Sequence, residues 1–308
     1  MRFFTDVLPR ELPLLKTKPL SQRNGLLLPL ICLVGVIQTS HARGETTEAC
    51  PKEQLVVVDI DTWVKEARQA KTPAQLENSL ARIGLQAADF SDDQECEDPT
   101  VKIRVDAFRA QLTDTGEPSR VVQVLGLICP QSNDKWQVQR GAIFVPQGKA
   151  YCRVDTPFLN RSGSAWGPEL CDPVVFAFEN LTAKTHGSIK VTDGNWWCGS
   201  SGGDRGGKTE TSWWELHGIE LDSLLSVTTE RSYFHSPNPP TESLSTSIKM
   251  LDKAYPKKIE LTENVTCDNT DTEMDNKRAK ADLHKCKASK IRRLCTYDGR
   301  QYACGRVK

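Results

Sequence analysis

Ten cysteines downstream of an apolar N-terminal run constrain this chain more than any other feature. They are Cys50, Cys96, Cys129, Cys152, Cys171, Cys198, Cys267, Cys286, Cys295 and Cys304, and an eleventh, Cys32, lies inside the run itself. That run, Gly25 to Gln38, is uncharged and follows five basic side chains (Arg2, Arg10, Lys16, Lys18, Arg23) set against Asp6 and Glu11. It ends in Thr39-Ser40-His41-Ala42, with small residues at the places that a cut after Ala42 requires. At a helical rise of about 1.5 Å per residue the run spans ~21 Å, short of a bilayer's ~30 Å apolar thickness. Residues 1–42 are therefore expected to be a cleaved signal peptide, and residues 43–308 an exported β-rich domain. Bulky Ile31 before Cys32 argues against a lipid-attachment cysteine.

Losing Cys32 with the leader turns an odd count into an even one, which predicts up to five bridges in an oxidising compartment, secreted, periplasmic or at the cell surface. The segment Cys295-Thr-Tyr-Asp-Gly-Arg-Gln-Tyr-Ala-Cys304 predicts a hairpin turning at Asp298-Gly299, with Tyr297 opposite Tyr302 and Cys295 opposite Cys304. Proximity in sequence pairs Cys129 with Cys152, Cys171 with Cys198 and Cys267 with Cys286, leaving Cys50 for Cys96. No C-x-x-C pair occurs, so neither zinc nor any cofactor is expected.

Patterning predicts an α+β, mainly antiparallel β fold, disulfide-stapled, with a small N-terminal helical pair and one late helix. The first helix begins near Asp61 and carries Trp63, Val64, Ala67 and Ala70; the second has Thr72 as N-cap, Pro73 at its first position, Gln75 completing a capping box and Gly84 past its end. From residue 101 the period becomes two, with Val101, Ile103, Val105 and Ala107 alternating with Lys102, Arg104 and Asp106. Further strands are expected at 121–128, 136–145, 150–154, 173–182, 187–197, 211–220, 224–234, 257–266 and 290–297. Turns are expected at Asn133-Asp134, Gln147-Gly148, Asp193-Gly194 and Asp222-Ser223, and a Pro-rich loop from His235 to Thr241. The late helix is placed from Thr272 to Lys287. A single domain is the simplest division, with a split near residue 160 as the alternative.

Charge narrows the function classes. The leader takes five basic and two acidic residues from totals of 40 and 40, leaving a net charge of −3. A general nucleic-acid binder would be strongly basic, so that class is set aside. The most unusual segment runs from Asn195 to Glu215, where Trp196-Trp197 and Trp213-Trp214 flank a glycine-rich loop. A simple hairpin register sets Trp196 opposite Trp214 and Trp197 opposite Trp213, one pair on each side of the sheet. A water-facing pair would form an aromatic platform for sugar rings or an apolar surface. A covered pair would only staple the hairpin.

Within that loop Gly199-Ser-Ser201-Gly-Gly203 matches G-x-S-x-G, and makes Ser201 the candidate nucleophile of a secreted hydrolase. Asp204-Arg-Gly-Gly-Lys208 cannot start the helix that such an elbow needs, and His186, His217 and His235 lie in no catalytic motif. The acidic stretch Asp268 to Asp275 lacks the glycine of a calcium loop. Eight basic residues lie between Lys277 and Arg293, among them Lys285 and Arg292, making a second candidate surface, for anionic polysaccharide or lipid headgroups. Three N-x-[ST] sequons stand at Asn160, Asn180 and Asn264. The residues together predict an exported, non-enzymatic binding or structural protein with a glycan or extracellular partner, touching membrane only through its leader.

Overall fold

The computed structural model describes residues 49–86, 101–114, 116–128, 138–162, 174–196, 205–234, 240–267 and 286–307. Two helices form where the capping chemistry places them. Helix α1 (Ile60–Ala67) is capped by Asp59, whose carboxylate accepts from the Thr62 amide at 2.6 Å. Its buried residues Ile60, Trp63, Val64 and Ala67 recur at helical spacing. Helix α2 (Pro73–Arg82) starts on Thr72, whose hydroxyl accepts from the Gln75 amide at 3.3 Å. Gln75 reaches back and accepts from the Lys71 amide, one residue ahead of the usual capping-box partner. Gly84 follows at φ 73°, the left-handed turn that ends the helix. The Trp63 indole donates to the Ser79 carbonyl at 2.7 Å and ties the helices together.

The strands described are all antiparallel and form two sheets. The first holds β1 (Leu55–Val56), β2 (Val101–Ala110), β3 (Ser119–Ile128), β4 (Val138–Gln147), β5 (Ala150–Asp155) and the two-residue β6 (Arg161–Ser162). Its order is β1-β5-β4-β3-β2, with β6 on β4. The second holds β7 (Val175–Glu179), β8 (Ser188–Trp196), β9 (Arg205–His217), β10 (Glu220–Phe234), β11 (Pro240–Met250), β12 (Ile259–Thr266), β13 (Ser289–Tyr297) and β14 (Tyr302–Arg306). These eight follow one another as a simple meander.

Three cores make the layers. The helices cover one face of the first sheet, where Trp63, Leu76, Leu80 and Ile83 meet Val122, Val124, Ala142 and Phe144. The opposite face, with Val121, Ile143 and Val154, packs on Ile189, Val191, Leu216 and Trp214 of the second sheet. On its other side the second sheet buries Trp213, Leu225, Val227, Ile259, Leu261 and Tyr302 around Leu181. Strand β4 is therefore buried on both faces, from Val138 to Val145. At Gly141 a Cβ would collide with the Val122 carbonyl and come within 2.8 Å of Leu159.

Several expectations are corrected. Cys152 pairs with Cys50, not Cys129, because Leu55 stands opposite Cys152 in the β1–β5 ladder and brings the preceding Cys50 within a Cα separation of 5.6 Å. Cys96 is thus not the partner of Cys50. The Cys267–Cys286 and Cys295–Cys304 pairs stand as expected, and Tyr297 faces Tyr302. Asp193-Gly194 and Asp222-Ser223 are not turns but lie within paired strands. The β9–β10 turn falls instead at Gly218, whose φ of 63° favours glycine. Residues 242–250, for which no strand was expected, belong to β11, whose first residues Pro240 and Thr241 fall in the expected Pro-rich loop. Of the late helix, residues 272–285 lie outside the described residues, and Cys286 and Lys287 are not helical. Cys96, Cys129, Cys171 and Cys198 also lie outside them.

Two outcomes follow from this packing. Non-reducing peptide mapping is expected to recover Cys50 linked to Cys152, and Cys50→Ser with Cys152→Ser to lower stability by about 2–5 kcal/mol in denaturant unfolding. Gly141→Ala is expected to cost about 1–3 kcal/mol in the same measurement, since the added methyl has backbone, not a flexible side-chain end, against it.

Candidate functional site

Strand β9 carries the chemistry-bearing residues of the second sheet, and strand alternation distributes them between its two sides. Trp213 is fully buried, donates from Nε1 to Glu179 Oε2 at 3.1 Å, and has the Lys190 ammonium 5.5 Å from a ring centroid. Trp214 turns the other way, donates to Ser212 Oγ at 2.8 Å and packs on Phe158 at 5.5 Å between centroids. Trp213 is enclosed in one core and offers no water-facing ring, and Trp214 is half-buried against the other. The expected register is also corrected. Trp214 stands opposite Ile189 and Trp213 opposite Lys190, whereas Trp196 stands opposite Gly207. The reason is that β9 begins at Arg205 rather than 211, so the ladder starts six residues earlier. Trp197, and the side chain of Trp196, lie outside the described residues.

Two residues beyond Trp213, on the same side of the strand, is Glu215, only 1% exposed. A buried carboxylate needs charged or hydrogen-bonding partners. It accepts from Thr182 Oγ1, and its Oε1 lies 2.6 Å from His186 Nε2. His217 Nε2 stands 3.5 Å from its second oxygen. The other nitrogen of His186, Nδ1, lies 2.7 Å from Asp114 Oδ1, which also accepts from Thr185 Oγ1. Both imidazole nitrogens face carboxylate oxygens, so both carry protons and the ring is a cation.

The titration shifts agree with that geometry. The bond to Glu215 pushes His186 up to about 9, against the opposing effect of burial and with help from Asp114. Burial alone would raise the Glu215 carboxyl, but the bonds from His186 and Thr182 outweigh it and hold it below the ordinary carboxylate range. The bonds from Thr185 and His186 hold Asp114 low as well. Tyr302 is pushed up to about 12, by burial first and then by the charge of Glu215. A protonated imidazole with both N–H groups committed is a clamp between carboxylates, not a general base. Sequence reading weighed His186 and His217 only as partners of Ser201. The cluster left no local signal, because Asp114 and Glu215 lie 72 and 29 positions from His186.

The basic segment divides. Lys285 and Ser201 lie outside the described residues, as do residues 268–275 and His235. Arg292 pairs with Glu260 at 2.5 Å and Arg293 with Glu263 at 2.8 Å, so acids of neighbouring β12 supply the counter-charge. One side of β11–β13 carries Ile248, Ile259, Leu261 and Cys295, with the Arg293–Glu263 pair beside them. The other is polar and set in rows across the strands. Ser245, Asn264 and Lys290 make one row, and Ser247, Thr262 and Arg292 the next. Of these Ser245, Ser247, Lys290 and Arg292 are exposed. The three sequon asparagines differ: Asn160 donates to the Thr156 carbonyl at 3.2 Å, Asn180 to the Lys184 carbonyl at 2.7 Å, and Asn264 occupies the polar rows.

The fold is thus that of a disulfide-stapled, mainly antiparallel β protein with two stacked sheets and a helical pair. Comparison with protein-family models, with curated proteins and with solved structures finds no match. Among the described residues no three His, Cys, Asp or Glu side chains are grouped to hold a metal ion, and no helix is long and apolar enough to cross a membrane.

The clamp has a direct spectroscopic test. An NMR titration is expected to place the His186 imidazole at about 9. In Glu215→Gln, which removes the main counter-charge, the value is expected to fall toward 6.5. A wild-type value of 6.5 or lower would rule the clamp out.

Proposed function

We propose that the chain is exported, cut after Ala42, and works outside the reducing cytosol as a non-enzymatic binding or structural protein. Three bridges, Cys50–Cys152, Cys267–Cys286 and Cys295–Cys304, support that setting, since such cross-links persist where thiols are oxidised. The observation that carries the binding reading is the polar side of β11–β13. Its hydroxyl and amide groups, with Lys290 and Arg292 at one border, stand in register on a continuous sheet. Side chains held this way lose little entropy on contact, and hydroxyl, ammonium and guanidinium groups suit an anionic, hydroxyl-rich glycan. Trp196 and Trp197 at the start of the glycine-rich loop remain part of the proposed recognition surface.

The alternative of a hydrolase built on Ser201 gains no support from His186, whose nitrogens are both occupied.

Two measurements test the reading. N-terminal sequencing of the exported protein is expected to begin at Arg43, and full reduction to add ten hydrogens. On an array of uronate- and sulfate-bearing glycans, the wild type is expected to bind in a salt-sensitive way. Lys290→Glu combined with Arg292→Glu is expected to weaken that binding by about tenfold or more, each tenfold step being about 1.4 kcal/mol. Equal binding by the double variant would remove β11–β13 from consideration.

A further inference from the structure

Residues 180–187 join β7 to β8, yet they do not form a tight turn. They form a strap whose start, at Leu181, sits in the core on the far side of the second sheet and whose end, at His186 and Gly187, is bonded to the segment after β2. The strap's backbone is tied near its ends. The Leu181 carbonyl accepts from the Lys257 amide at 2.8 Å and from the Tyr302 hydroxyl at 3.3 Å, while the Gly187 amide donates to the Gln111 carbonyl at 2.7 Å. Between those ends the attachments to other elements are made by side chains, and they converge on two carboxylates. Thr182 and His186 hold Glu215, and Thr185 and His186 hold Asp114. Leu181 is completely buried, and it covers the apolar surface formed by Trp213, Leu225, Ile259 and Tyr302.

We propose that residues 181–187 are a releasable strap, in which loss of the His186 charge undocks the segment from Glu215 and Asp114 and uncovers the apolar surface around Trp213 while both sheets stay folded. The reason is local. A neutral imidazole has one N–H, so one of its two carboxylate partners would face a nitrogen lone pair. Even where the remaining N–H and the Thr182 hydroxyl stay on Glu215, that carboxylate is too buried to be hydrated where it stands, and a buried charge that has lost its main cationic partner is costly. Moving the strap lets water reach it. The β7–β8 and β8–β9 ladders use no strap residue, so they need not break.

The charged and titratable groups around His186 set the direction. Asp114 comes from the turn after β2, Glu215 and His217 from β9, and Tyr302 from β14. Lys184 of the strap itself is exposed. Lys190 of β8 is paired with Glu179, and Lys257 lies over the Tyr255 ring. His186 is raised from 6.5 to about 9, so its contribution is complete below 6.5 and is lost as pH rises through 9. Asp114 and Glu215 are both lowered, so their contribution is present above the ordinary carboxylate range and fails only in stronger acid. The strap is locked through mildly acidic and neutral pH and opens on the alkaline side.

Trypsin cleavage after Lys184 in the mature, oxidised protein tests this, with rates normalised to an unstructured lysine peptide at each pH. The normalised rate is expected to rise about tenfold or more between about pH 7 and about pH 10, with other sites unchanged. His186→Arg, which keeps a cation throughout, is expected to abolish the rise, and His186→Gln to be cut at the high rate at both values. A flat wild-type profile would overturn the proposal. So would a rise that persists in His186→Arg, or cleavage at many sites together with loss of the far-ultraviolet β signal. If either variant fails to fold, the wild-type profile decides alone.

Discussion

Adjacent residues of a strand point to opposite sides of its sheet, and at Trp213-Trp214 that rule joins two cores of this protein. Trp214 fills the space between the sheets beside Phe158, and Trp213 fills the space on the far side beneath Leu181. A slip of one residue in β9 would put Trp214 in the place of Trp213 and Glu215 in the place of Trp214. The first sheet repeats the arrangement, since β4 faces the helices on one side and the second sheet on the other. Between the helices and the second sheet, β4 is buried on both faces from Val138 to Val145. This is why Gly141, where Leu159 and the Val122 carbonyl approach closely, leaves no room for a side chain.

Burying Glu215 on the same strand carries a cost that packing alone cannot offset. His186 removes it by standing between Glu215 of β9 and Asp114 of the turn after β2, so one cation serves two acids. The cluster thereby links the turn after β2, the strap and β9 at one point. Elsewhere the ion pairs are peripheral. Asp61 of α1 meets Arg109 and Arg120 of the first sheet, and Arg292 and Arg293 meet β12 acids. Arg120 is buried, but the more exposed of these pairs, such as Arg109 with Asp61, contribute little to stability. The His186 cluster differs because of its burial.

Cys50–Cys152 holds the segment before β1 against β5 at the margin of the first sheet, and Cys295–Cys304 closes the final hairpin of the second. Cys267–Cys286 spans 19 positions and brackets the connection from β12 to β13. Such constraints act mainly on the unfolded chain, and two of them are continuous with the cores, since Cys152 and Cys295 are fully buried.

Local physics was legible in the sequence. Thr72-Pro73 announced α2, alternation announced β2, and two tyrosines flanking Asp298-Gly299 announced both the last hairpin and its bridge. Strand β11 was legible too, since Leu244, Thr246, Ile248 and Met250 alternate with polar residues, but a Pro-rich approach and many serines obscured it. The register of β9, the partner of Cys50 and the assembly around His186 were not legible. Each joins residues separated by long stretches of chain, 102 positions for Cys50 and Cys152 and 72 for His186 and Asp114. Sequence by itself determined the two capped helices, the alternation of β2 and the last hairpin, and how many thiols could pair, because spacing and capping act over a few residues. Only the tertiary structure decided which cysteines, which tryptophan faces and which carboxylates would meet, because sheet stacking brings them together from elements that carry no local record of one another.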